Sequence, residues 1–211
     1  MNTRERILET ARELFNKVGI DNVSARTICS ELNISPGNFT YYYSNKNEII
    51  ADLYQHMTIE SRLILDSMAG NDLSILTYLE AHRQMFLIQE TYKFFYLNLF
   101  EILTNNQELK QKYISQSKQE RKMAKELLQL YSAKGILKKG LTDAQCERLI
   151  AVGQILNNSW PVDAEILYKG NQKKKLRCYM SICCGLLEPY LSEKAAQEYD
   201  QFFSNLLGVF F

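Results

Sequence analysis

Only three prolines and nine glycines punctuate the 211 residues, and long stretches run without either. Between them Leu, Glu, Lys, Gln, Ala and Arg are abundant, residues that lose little side-chain freedom in a helix. No segment alternates apolar and polar residues as a half-buried strand requires, and no internal repeat is present. A chain with so few breakers is committed to helix nearly everywhere. The expected fold is all-α.

Apolar residues make up 46% and charged residues 23%, as in an ordinary soluble globular protein. The net charge of +1 gives no overall pull toward nucleic acid or membrane, although a local basic patch escapes such a total. The opening MNTRERILETARELF carries a charge every few residues, unlike a signal peptide. No run approaches the roughly 18 apolar residues of a membrane span. Cys29, Cys146, Cys178, Cys183 and Cys184 are odd in number and lack C-x-x-C spacing, so a reduced, cytoplasmic chain is expected. The two histidines, His56 and His82, form no H-x-x-x-H pair, and neither G-x-S-x-G nor G-x-G-x-x-G occurs. No enzyme activity, metal site or cofactor is expected.

Caps and breakers set the element boundaries. Thr3 is placed to cap a first helix carrying Ile7, Leu8, Ala11, Leu14, Phe15 and Val18 at helical spacing, and Gly19 stops it. Ser24 caps a second helix over 25–32. Asn33 stands where a tight turn needs a left-handed residue. Ser35 and Pro36 open a third helix reaching about Tyr43. A fourth runs from near Asn47 to about Ala69, with Gly70, Asn71 and Asp72 as connector. Further helices are expected over 74–89, 92–104, 107–134, 142–160, 171–188 and 192–207. Their stops are Asn105-Asn106, Gly135, Gly140, Pro161 and Gly170. Three small helices over 1–46 thus precede a larger helical bundle over 47–211.

Two short helices joined by a tight turn and braced by a third describe a helix-turn-helix. In NISPGNFTYYYSNK, placing Phe39 in the core puts Tyr43, four residues on, beside it. At about 100° per residue Gly37 and Tyr41 face away, with Asn38 and Thr40 flanking them and Tyr42 at the rim. Such a helix suits the DNA major groove. Ser35 presents an N-terminus that favours phosphate, Gly37 permits close approach, and Asn38, Thr40 and Tyr41 can meet bases or backbone. Tyr42 and Lys46 are placed to grip phosphate, and Arg26 can reach guanine in the same groove. The plainer reading is that Ser24, Ser35, Pro36 and Tyr42 serve packing alone.

Residues 3–50 resemble the DNA-binding domain of the TetR family of bacterial repressors. The likeness rests on A-x-x-L-F in the first helix, the stop at Gly19, S-A-R-x-I, and S-P-G-N-F-x-Y-Y-Y-x-N-K. It implies a DNA-binding domain over 1–46 and a helical ligand-binding and dimerisation domain over 47–211. It also implies a homodimeric regulator of double-stranded DNA, released from a pseudo-palindromic operator by a small-molecule inducer. The family's contact positions fall on Arg26, Pro36, Gly37, Asn38, Thr40, Tyr41, Tyr42 and Lys46, with Ser24 and Ala25 at the second helix start. Thr40 replaces the usual Tyr, Ala25 often carries a hydroxyl in relatives, Tyr42 is often His, and Asn33 is usually Gly.

Beyond residue 47 the resemblance is one of size and helicity. Tyr92, Phe95, Tyr96, Leu99, Phe100 and Leu103 form an apolar stripe that reads either as bundle core or as the lining of an inducer pocket. Met85, Phe86, Asn157 and Trp160 can complete such a pocket. Ionisable residues among these apolar stretches are few, His82 and Glu101, so a largely hydrophobic ligand, neutral or cationic, is expected. Ile150, Ile155, Leu156 and Trp160, with Tyr179, Ile182, Cys183 and Leu186, are placed for a dimer interface between the helices over 142–160 and 171–188. The run Lys173, Lys174, Lys175 and Arg177 reads as a solvated helix start. Cys178, Cys183 and Cys184 leave open a thiol sensor on the same scaffold. A helical interaction protein with a vestigial DNA-binding head is the other alternative.

Overall fold

The computed structural model describes residues 2–69, 73–138 and 141–209. Within them α1 (Thr3–Val18), α2 (Ala25–Leu32) and α3 (Pro36–Tyr42) form the front of the molecule. Behind lie α4 (Lys46–Ala69), α5 (Ile75–Thr91), α6 (Lys93–Leu97), α7 (Leu99–Asn105) and α8 (Gln107–Ala133). The chain finishes with α9 (Asp143–Leu167), α10 (Gln172–Cys184) and α11 (Glu193–Val209). The all-α expectation holds. An isolated antiparallel bridge, Leu137 to Leu191, ties two connections together. The connector Gly70-Asn71-Asp72 and the stop at Gly140 lie outside the described residues.

Two apolar cores carry the fold. The first joins Ile7, Ala11 and Phe15 of α1, Ile28 of α2 and Phe39 of α3 to Ile49, Leu53 and Met57 of α4. It continues through Tyr92, Phe94, Phe95, Ile102 and Leu109, so one core runs across residue 46 into the body. The second gathers Ile75, Leu79 and Phe86 of α5 with Tyr131, Trp160, Tyr179 and Phe203.

Four boundaries differ from expectation. Asn2, not Thr3, caps α1: its Oδ1 accepts from Glu5 N at 3.0 Å, while Glu5 Oε2 accepts from Asn2 N at 2.8 Å. The helix foreseen over 92–104 is split at Asn98, whose side-chain amide donates to the Phe94 carbonyl at 2.8 Å. The last foreseen pair is reset by a short 3-10 turn, Glu188–Tyr190, between α10 and α11.

Pro161 does not end α9, which runs on to Leu167. A proline removes the N–H that would bond the carbonyl four residues back, here that of Asn157. Gln89 of α5 supplies the missing donor, its Nε2 lying 3.1 Å from Asn157 O. The same carboxamide accepts from Trp160 Nε1 at 2.6 Å, so both ends of Gln89 are used. Gln89→Leu should therefore lower stability by about 2 kcal/mol in chemical unfolding. Adding Pro161→Ala, which restores an N–H to Asn157 O, should recover part of that loss.

Candidate DNA-binding face and the helical body

The reading face begins with two side-chain caps. Ser24 Oγ accepts from Thr27 N at 3.1 Å, and Ser35 Oγ accepts from Asn38 N at 3.2 Å. Asn33 takes the left-handed conformation, φ 53°, that turns α2 into α3. With Pro36 lacking an N–H and Asn38 N bonded to Ser35, Gly37 N is the first-turn amide left to point outward.

The three tyrosines separate as their spacing requires. Tyr41 is 82% exposed, Tyr42 is half-buried, and Tyr43 is 3% exposed. Tyr41 and Tyr42 meet edge to face, centroids 5.0 Å apart. Tyr43 stands beneath, its hydroxyl bonded to Asp52 of α4 and accepting from Arg4 Nε at 3.3 Å. Arg4 also pairs with Asp52 at 2.8 Å. Burial first, and the Asp52 contact second, push the Tyr43 hydroxyl well above the ordinary phenol range. It therefore stays neutral and locks α3 to α1 and α4.

Ser24, Arg26, Ser35, Pro36, Gly37, Asn38 and Thr40 are exposed, as Tyr41 is. Arg26 makes no ion pair among the described residues. Thr40 differs from expectation in one respect. Its hydroxyl donates to the Gly37 carbonyl at 3.2 Å, so the methyl is what it offers outward. Lys46 also departs from the outward phosphate grip foreseen: its Nζ donates to the Ile20 carbonyl at 2.7 Å, closing the turn after α1.

In the body, the foreseen pocket residues divide between the two cores. Phe95 and Tyr96 belong with the first, beside Tyr54 of α4 and Tyr113 of α8. Tyr54 stacks on Phe95 at 5.1 Å, and Tyr113 lies 6.4 Å from each of them. Phe86 and Trp160 belong with the second, stacked at 4.7 Å. Gln89 and Asn157 stand between the two groups. Met85 and Leu99 are half-buried. Phe100 is 85% exposed and lines no interior, because the Asn98 break resets the helical phase that put it on the stripe. A separate cleft of 330 Å³ opens between α4 and α5, lined by Ile64, Leu76, Glu80 and Gln84 among others.

Sequence reasoning missed Tyr54, Gln89, Tyr113 and Gln116. The freed Asn157 carbonyl was a signal for Gln89, had Pro161 been read as lying inside a helix.

Of the residues foreseen at a dimer interface, Ile155 and Ile182 are exposed, 65% and 52%, while Ile150 and Leu186 are half-buried. Tyr179 and Cys183 are committed to the chain's own core, Tyr179 through a 2.6 Å bond to Asp163. Val152, Ile155, Ser159, Val162 and Ile166 follow one another at three- and four-residue spacing along the exposed side of α9.

The basic run also requires correction. Lys175 is buried, bonded to Glu90 at 2.9 Å and Glu165 at 3.3 Å. Burial raises the Glu165 carboxyl, but Lys93 and Lys175 hold it below its ordinary value. Arg177 donates to the Phe203 carbonyl at 2.8 Å. All five cysteines are free; burial pushes Cys183 up to about 12 and raises Cys184 further, whereas Cys178 is exposed. His82 is tucked against Tyr78, its Nδ1 3.0 Å from the Tyr78 carbonyl, and burial lowers its pKa. Glu101 is exposed.

A capped reading helix with an exposed polar and aromatic face, locked onto a helical body, defines a DNA-binding protein of the helix-turn-helix class. The description "Bacterial regulatory proteins, tetR family" matches residues 7–53, and "Bacterial transcriptional repressor" matches residues 46–199. The chain belongs to the TetR family of bacterial transcriptional regulators. It is 40% identical over 48 residues to the HTH-type transcriptional regulator UidR of Escherichia coli (strain K12), 23% of this chain and 24% of that protein. The likeness thus spans less than a quarter of that relative's length. A TetR-family regulator from Marinobacter aquaeolei VT8 shares the fold at a TM-score of 0.88, 20% identity, 98% of this chain and 99% of its own. A transcriptional regulator from Saccharomonospora viridis, solved in complex with choline, superposes at 0.69 with 16% identity over 90% and 98% of the two chains.

Lys46→Met is expected to lower stability by about 1 kcal/mol, since it frees the Ile20 carbonyl. Thermal unfolding of the free protein reads this directly; an unchanged midpoint contradicts the assignment.

Proposed function

We propose that the chain is a ligand-responsive repressor that binds a pseudo-palindromic operator as a homodimer and releases it when a mostly hydrophobic small molecule occupies the body. The observation that carries this reading is the segregation of the reading helix. Tyr43 and Phe39 are buried, while Tyr41, Asn38 and the unpaired Arg26 stand on the open side. Arg26 would reach guanine, Asn38 and Tyr41 would meet base edges, and the Thr40 methyl would pack on a thymine methyl. Ser24, Ser35, Pro36, Gly37 and Tyr42 would sit against phosphates on either side.

The exposed apolar side of α9, with Ile182 of α10, supports the homodimer. Such a face on two antiparallel helices is self-complementary about a twofold axis, and that axis sets two half-sites in inverted repeat. The choline complex of a similar fold supports a body that takes small organic molecules. A cytoplasmic regulator without enzymatic chemistry fits these parts, and among the described residues no helix is long and apolar enough to cross a membrane.

Inducer binding would act through α6. Phe95 and Tyr96 pack with Tyr54 and Tyr113 in the body, while Phe94 packs on Phe15 of α1 at 5.3 Å. A ligand that prefers one position of α6 would favour one spacing of the reading heads.

Selection from random DNA should enrich a short inverted repeat. Arg26→Ala and Tyr41→Ala should abolish the enrichment, each weakening the operator complex by about 1–3 kcal/mol. Ile155→Glu should yield a monomer that binds DNA without the two-half-site preference. Equal binding of random and selected DNA by the unaltered protein overturns the reading.

A further inference from the structure

Among the described residues Lys175 is the one charged side chain that is buried, at 3% exposure. Its ammonium lies 2.9 Å from Glu90 Oε1 and 3.3 Å from Glu165 Oε1. Glu165 Oε1 is shared with Lys93 Nζ, 3.1 Å away. Four charges thus alternate in sign, from Glu90 of α5 through Lys175 of α10 and Glu165 of α9 to Lys93 of α6. The series leaves the α5–α6 turn at Glu90 and returns to it at Lys93.

Such a cluster contributes little net stability, because taking the charges out of water offsets most of their mutual attraction. What it imposes is geometry. A shift of α10 against α5 or α9 strands a buried ammonium with neither water nor counter-ion, so intermediate positions are disfavoured. The clasped turn is also the segment that meets the DNA-binding unit. Between Glu90 and Lys93, the Thr91 carbonyl accepts from Asn16 and Arg12 of α1, and the Tyr92 hydroxyl donates to Glu60 of α4. Phe94 follows, its N–H bonded to Asn16 and its ring on Phe15. Consecutive residues 90–94 therefore take partners from α10, α1, α4, α9 and α1 in turn. The α9 and α10 partners belong to the two helices whose exposed apolar side supports the homodimer.

We propose that Lys175 is a positioning residue for operator binding: through Glu90 and Glu165 it clasps the α5–α6 turn to α9 and α10, and so holds the two reading heads of the dimer at one separation. The proposal rests on the reading of the chain as a homodimeric, operator-binding regulator. Lys175 stands on α10 and not on the reading helix α3, so recognition within each half-site is independent of it. Its removal leaves Glu165 with Lys93 and frees Glu90. The turn can then settle in more than one position against α10, and discrimination between operator lengths falls.

The test uses the inverted repeat that the unaltered full chain selects from random DNA, beside versions lengthened at the centre by one and by two base pairs. Each added base pair moves the half-sites about 3.4 Å apart and rotates them by about a tenth of a helical turn. The unaltered protein should bind the selected repeat at least about tenfold more tightly than either lengthened one. Lys175→Met should bring the three affinities within about a factor of two, and Lys175→Arg, which keeps the charge, should preserve most of the discrimination. Glu90→Ala cuts the link to α5 while Lys175 keeps Glu165, so it should fold even where Lys175→Met does not, and relax the discrimination likewise. Unfolding midpoints identify the folded variants, and each of these should bind a single half-site as the unaltered protein does. A structural role alone lowers every affinity alike and leaves the ratios intact. Unchanged ratios in Glu90→Ala or in folded Lys175→Met overturn the proposal, as does a loss that appears equally on the single half-site. Failure of the unaltered protein to enrich any inverted repeat sinks the regulator reading and this inference with it, whereas an enriched repeat with unchanged ratios sinks this inference alone.

Discussion

The arrangement depends on the side chain of Asn16. At the end of α5 the Thr91 carbonyl has no helical partner, and at the start of α6 the Phe94 N–H has none. Asn16 of α1 serves both: Nδ2 donates to Thr91 O at 2.8 Å, and Oδ1 accepts from Phe94 N at 2.9 Å. Arg12 adds a second donor to Thr91 O at 3.1 Å and lies over the Tyr92 ring. Tyr92 in turn donates to Glu60 of α4 at 2.7 Å. Two helix ends of the body are thus completed by a helix of the DNA-binding unit, and Phe15 on Phe94 seals the contact with apolar surface.

This junction gives the two halves a mechanical relation. The peptide that Asn16 holds lies immediately before Phe95 and Tyr96, which pack with Tyr54 and Tyr113. On the other side of α1, Arg4 meets Tyr43 and Asp52, so the reading helix is referenced to the same scaffold. One set of contacts therefore joins α6, α1, α4 and α3. The α5 to α6 connection is a small element with two sets of partners, the aromatic cluster of the body on one side and α1 on the other.

Much of the reading head was legible because its determinants are local. Ser24 and Ser35 as caps, Asn33 in the left-handed turn and the division of Tyr41, Tyr42 and Tyr43 follow from one or two helical turns of sequence. The body was less legible because its determinants are distant. Whether Pro161 ends α9 depends on Gln89, 72 positions earlier in the chain. Lys175 looked solvated because its partners Glu90 and Glu165 lie on other helices and meet it only in the folded chain. Phe100 looked internal until Asn98 shifted the phase of the helix. Tyr113 lies on a long helix whose polar pattern gave no sign that it packs against the first core.

The claim that one core spans both halves is tested most directly by scanning calorimetry of the full chain. The unaltered protein should unfold in a single transition, its calorimetric and van't Hoff enthalpies agreeing. In Asn16→Ala, which frees Thr91 O and Phe94 N together, the transition should broaden or divide as residues 1–46 melt ahead of the body. Two separate transitions in the unaltered protein, or an Asn16→Ala profile identical to it, would contradict the account.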